Sequence, residues 1–201
     1  MASSTKFWKT APKYMRLFMD DFDLSVWDAA AIMGNAGYES GGLVQLQEIN
    51  PVVKGSRGGT GLFMWTGERR KAFEAYCQRN DLDPASDKAN YGWAFVELKS
   101  TESRAKAALL GASTLRDKVI AFERTFERAG VKNYDKRVEW AEYALKAYRA
   151  AYPEAVAQGS GVAVISGSGA YTPEDGMSDV IELLLRQKHV ASISVTFEKK
   201  S

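Results

Sequence analysis

The residues Gly34-Asn35-Ala36-Gly37-Tyr38-Glu39-Ser40-Gly41-Gly42 place a carboxylate, Glu39, where an apolar run ends and glycines take over. Burial among apolar groups penalises the charged form of a carboxyl. The partial negative charge at a helix C-terminus penalises it further. Both effects move such a group toward the pKa that a general acid needs near neutral pH, so Glu39 is the first candidate for acid catalysis. By periodicity alone, a solvated glutamate at a helix end would look the same.

Counts of the other reactive residues narrow the chemistry. The chain holds one histidine, His189, and one cysteine, Cys77. That leaves no internal disulfide framework and argues against a dedicated zinc site. A Cys–His pair or a Ser–His–Asp triad would have to recruit His189 from a late segment, so carboxylates are the better basis for catalysis. A second one is wanted if water is to be activated. Glu48, in Gln47-Glu48-Ile49-Asn50-Pro51, is the nearest, beyond the glycine turn. Its alternative is a surface loop position. Thr60 is a further polar group that could hold a water. Trp65 and Tyr134 are aromatic candidates for walls that contact a sugar, whereas Phe63 reads as core. Arg69, Arg70 and Lys71 form a basic cluster whose default is a solvated face.

The elements that must position these groups are mostly helical. Ser25 caps a helix over 26–39 by accepting a bond from a free N–H of its first turn. Val26, Trp27, Ala29, Ala30, Ala31, Ile32, Met33 and Ala36 make that helix apolar nearly all round, which marks the buried centre of a domain. Before it, Pro12 opens a short helix through 20. Residues 40–62 are glycine-rich and break helix; 44–47 alternate as a short strand ended by Asn50-Pro51, in a loop or small sheet that walls a cleft. Helices resume over 67–79 (Thr66 as cap), 87–99 (Ser86), 102–110, 114–129 (Ser113, with Gly130 as left-handed cap) and 135–152, halted by Pro153.

Composition agrees with a folded chain. Of 201 residues, 45% are apolar and 26% charged, enough to bury one substantial core. The net charge of +2 is too small to imply nucleic acid by itself. No secretory signal and no run of ~20 apolar residues is evident, so the chain reads as made in a cytoplasm and released by other means. Residues 154–171 form a Gly/Ser-rich linker. Residues 172–201 form a small helix-and-strand appendage, with Ile193, Val195 and Phe197 alternating as in a half-buried strand. The domain boundaries are therefore 1–153, 154–171 and 172–201.

Two ordered motifs carry a resemblance. GNAGYESGG, followed by GGTGLFMWTGERRKAF over 58–73, resembles the phage tail lysozyme family of the lysozyme-like superfamily. Its members look like G-N-x-x-x-E-S-x, then a glycine-rich loop, then G-[LI]-F-Q-W-T-x-x-R. A similar order, Glu-Ser followed by Gly-Leu-x-Gln, marks goose-type lysozymes and lytic transglycosylases. The similarity continues loosely to about Tyr148. One departure is Met64, where the pattern has Gln. The resemblance implies a mostly α, lysozyme-like α+β fold with a substrate cleft and Glu39 as catalytic glutamate. The implied activity is a muramidase that cuts the β-1,4 bond between N-acetylmuramic acid and N-acetylglucosamine, with no cofactor and no metal. A lytic transglycosylase on the same bond, or a non-catalytic wall- or virion-binding protein, remain open alternatives. The implied partner is bacterial peptidoglycan rather than nucleic acid or a membrane. A monomer is expected, released through a holin or carried with virion proteins.

Overall fold

The computed structural model describes residues 4–49, 51, 55–130 and 132–153. Contacts divide the chain into the units Met1–Tyr148 and Arg149–Ser201, and the fold below is that of the first. The linker, the appendage and His189 lie outside the described residues.

The unit is helical. Its elements are α1 (Thr5–Phe22), α2 (Val26–Glu39), α3 (Gly67–Arg79), α4 (Asp87–Lys99), α5 (Ser103–Leu110), α6 (Leu115–Phe122), a π-helical turn (Glu123–Glu127) and α7 (Tyr134–Ala151). Helix α2 has the predicted limits and environment. Ser25 Oγ accepts from Asp28 N–H at 3.2 Å, and the Asp28 carboxylate accepts from Ser25 N–H at 2.9 Å, a reciprocal capping box. Ala29 through Gly37 are all buried. The helix packs against α1 and α6.

Three expectations need correction. Pro12 does not open α1. Ser4 does, accepting from Phe7 N–H at 3.2 Å, and Pro12 sits inside the helix on its buried face. An internal proline costs about 3 kcal/mol. Burial of Phe7 and Ala11 on the extra turns offsets that by a comparable amount, since one fully buried large apolar side chain contributes about 1.5–3 kcal/mol. The helix expected over 114–129 is shorter, because Thr114 rather than Ser113 caps it and α6 gives way at Glu123 to the π-helical turn. Arg128, with φ +53°, takes the left-handed position expected of Gly130. It is held there as its guanidinium bonds the Glu102 carboxylate at 2.6 and 3.1 Å.

The glycine-rich segment contains no strand among its described residues. It is a loop stitched by two isolated antiparallel bridges, Gln47 with Thr60 and Thr60 with Trp65. Side chains do what a sheet would otherwise do. Leu62 N–H donates to Asn90 Oδ1 of α4 at 2.7 Å. Arg70 of α3 reaches the Gly58 carbonyl at 2.9 Å and Gln47 Oε1 at 3.0 Å. Arg57 and Arg70 both bond Glu74. Arg69 and Arg70 are thus structural ties rather than a solvated face; Lys71, two-thirds exposed, fits that description. Among the described residues, no helix is long and apolar enough to cross a membrane.

Candidate active site

Glu39 is the last residue of α2, and the residue after it explains how the chain leaves the helix. Ser40 Oγ donates to the Ala36 carbonyl at 2.6 Å and accepts from Leu43 N–H at 2.9 Å. It satisfies one orphan helix carbonyl while turning the backbone away. The Glu39 side chain is left one-fifth exposed.

One turn earlier on the same face stands Asn35, four residues back as helix geometry requires. A buried arginine from α7 forks across the two. Arg137 donates from one terminal nitrogen to Asn35 Oδ1 at 3.0 Å and from the other to Glu39 Oε1 at 2.5 Å. Asn35 is itself fixed, because its amide donates to the Ala31 and Val119 carbonyls. The Tyr38 ring lies 4.5 Å from the guanidinium carbon. The Arg137 side chain is fully buried, and its Nε has no hydrogen-bond partner.

Tyr38, Glu39 and Arg137 line a cavity of about 680 Å³, a volume typical of ligand pockets. Glu39, Glu48 and Trp65 of the sequence-predicted site residues border it, together with Met64, Arg69, Glu127 and Arg137. Thr60 does not border it: its hydroxyl donates to the Leu46 carbonyl at 3.2 Å inside the stitched loop. Tyr134 does not either. Its hydroxyl donates to Glu123 Oε2 at 3.2 Å, and Glu123 also accepts from Ala129 N–H, which anchors the segment before α7. Trp65 borders the cavity but is only 1% exposed. Its ring packs on Phe63 and Phe73, and its indole N–H donates to Glu97 at 2.7 Å, so it offers no open face to a sugar. Phe63 is core, as read.

Glu48 is committed on one side. Its Oε2 accepts from Gly59 N–H at 2.8 Å. The approach depends on Gly58, which has φ +72° and where a β-carbon would lie 2.9 Å from that same oxygen. Only glycine combines that backbone angle with that proximity.

Two charged groups escaped the sequence reading. Arg137 lay in an ordinary helical stretch, with nothing in its spacing to single it out. Glu127 is the last residue of the π-helical turn and borders the cavity with Glu39. The residue is partly exposed overall, but its Oε1 is out of contact with solvent and has no hydrogen-bond partner. Burial pushes its carboxyl well above the usual carboxylate range. The neighbouring Glu39 charge adds to this, and Arg69 and Arg137 pull the other way.

The model of the family described as phage tail lysozyme matches residues 9–148. Among curated proteins and among solved structures, nothing matches the chain.

Proposed function

The chain belongs to the phage tail lysozyme family and is peptidoglycan-lytic, and we propose that it is a muramidase that hydrolyses the β-1,4 bond between N-acetylmuramic acid and N-acetylglucosamine. Support comes from the position of Glu39. It closes an apolar helix, opens onto a cavity of sugar-binding size, and is oriented by a guanidinium that is itself fixed by Asn35.

In this reading Glu39 gives its proton to the glycosidic oxygen as the bond to the anomeric carbon breaks, and the electron pair stays on that oxygen. The developing oxocarbenium ion is attacked by water. Glu48 borders the same cavity and takes the proton that water loses. Its bond from Gly59 occupies Oε2 and leaves Oε1 for this role. Water delivered opposite the leaving group inverts the anomeric centre. Arg137 receives the charge left on Glu39.

The test is digestion of purified murein followed by mass analysis of the released fragments. Reducing muramic acid ends are expected. Anhydro-muramic ends would show that the sugar's own hydroxyl attacks, as in a transglycosylase. Binding without any cleavage would reduce the protein to a wall-binding module.

A further inference from the structure

We propose that Glu127 is a positioning residue that must keep its proton for Glu39 to work. The inference rests on the reading of Glu39 as catalytic acid.

Nearly every charged group around the cavity has a partner. Arg69 is held by Glu97, with bonds of 2.7 Å to each carboxylate oxygen, and also donates to the Phe126 carbonyl. Arg128 is held by Glu102. Glu48 accepts from Gly59. Arg137 and Glu39 hold each other. Glu127 stands apart with an oxygen that is buried and unpartnered, and the Nε of Arg137, which lines the same cavity, is also buried and unpartnered.

A neutral carboxyl can occupy that position. An ionised one, with that oxygen shut off from water, needs a donor or a cation there, because buried charge left unpaired is strongly disfavoured. The cations within its field are Arg69 and Arg137, and the anions are Glu39 and Glu97. Arg69 is already paired with Glu97. Arg137 has a free N–H to offer, but the guanidinium that would turn toward Glu127 is the one that aligns Glu39 with Asn35. Loss of the Glu127 proton therefore sets two carboxylates in competition for one guanidinium and releases Glu39 from its position. The raised pKa of Glu127 moves that event to higher pH than an ordinary carboxyl would set. No proton passes from Glu127 to substrate; its role runs through Arg137.

On the alkaline side, the activity that results depends on the proton of Glu127. The experiment measures kcat/KM on soluble murein fragments against pH for the intact protein and for Glu127→Gln. The amide copies the shape of the protonated acid but cannot ionise. Below the alkaline limb, Glu127→Gln is expected to stay within about threefold of the parent. On the limb, the parent should fall more steeply than the variant, because only the parent has a Glu127 proton to lose. Equal steepness in the two proteins overturns the proposal.

A second measurement stands if Glu127→Gln does not fold. Carbon-13 titration of glutamate-labelled parent protein should show one glutamate carboxyl ionising far above the others, with its midpoint lowered in Glu39→Gln. Absence of such a carboxyl, or indifference to Glu39→Gln, overturns the proposal. Parent protein that leaves murein intact at every pH would instead refute the enzymatic reading, and the titration would still report on Glu127.

Discussion

A β-carbon on Gly34 would lie 2.6 Å from both the Arg137 carbonyl oxygen and the Ala141 β-carbon. The glycine lets α7 lie directly on α2, and that contact sets the depth from which Arg137 reaches Asn35 and Glu39. Gly34→Ala should therefore destabilise the protein. Alanine is worth about 1 kcal/mol more than glycine within a helix, but overpacking against backbone costs typically 1–3 kcal/mol, and here the obstacle is a carbonyl that cannot rotate away. A net loss of about 1–2 kcal/mol is expected by denaturant melting, with a larger proportional loss of lytic activity because Arg137 moves. A more stable and fully active Gly34→Ala protein would contradict this account of the α2–α7 contact.

Glu39→Gln should lose lytic activity by about 10²–10⁴-fold, because an amide has no acidic proton to give. Its oxygen can still accept from Arg137, so the circular dichroism spectrum should match the parent. Murein turbidity assays with folded variant protein check this. Clearance at near the parent rate would remove Glu39 from the acid role.

Glu48→Gln separates two jobs of one side chain. The amide oxygen can go on accepting from Gly59 N–H, so the loop should keep its shape and the melting temperature should barely move. The base is lost, and kcat should fall by about 10² while KM changes little. Parent-like kcat would confine Glu48 to the loop bond seen in the structure.

Glu97 is 2% exposed and serves three donors at once: Arg69 Nε, an Arg69 terminal nitrogen and the Trp65 indole. Glu97→Gln sets an amide NH₂ against one of those donors and leaves Arg69 short of its counter-charge. A loss of about 3 kcal/mol is expected, in the range for removal of one partner of a buried pair. Thermal and denaturant melting would detect it. A neutral result would mean that Arg69 finds solvent instead.

The raised Glu127 pKa also predicts how stability varies with pH. An unfolded chain ionises this carboxyl in the ordinary carboxylate range, while the folded chain retains the proton to higher pH. Over that window the native state binds more protons, so its contribution to stability is full below the ordinary range and declines as the pH rises toward the folded value. Glu127→Gln should flatten that decline. Melting curves from acid to mildly alkaline pH compare the two slopes, and parallel slopes would count against the raised value.

The sequence was most legible where one residue announces its own local role. Ser25 and Ser86 cap the helices they were expected to cap, because a capping bond needs only a neighbour three residues on. Glu39 was legible for a similar reason, at the junction of an apolar helix and a run of glycines. Pro12 misled because its cost is local while the burial that offsets it comes from partners far along the chain. The glycine-rich loop misled in a related way. Its alternation at 44–47 promised a strand, yet strands need a neighbour along their length, and here the partner contacts are Arg70, Asn90 and Glu48 side chains. Trp65 and Tyr134 were proposed as wall residues, and Thr60 as a group that could hold a water, from type and proximity in sequence; each is occupied by a hydrogen bond within the protein. Arg137 and Glu127 lay beyond sequence reasoning altogether, since Arg137 matters by bonding Glu39 from a distant helix and Glu127 by bordering the same cavity, and no spacing encodes that.

The ion pair between Glu39 and Arg137 joins residues 98 positions apart. A growing chain on the ribosome presents the motif around Glu39 early, long before the codon for Arg137 is read. Until then the carboxylate has no guanidinium to hold it and α2 has no α7 to cover it. A site built in this way cannot assemble until α7 has been made, and fragments that end before α7 carry the recognisable motif without its arginine.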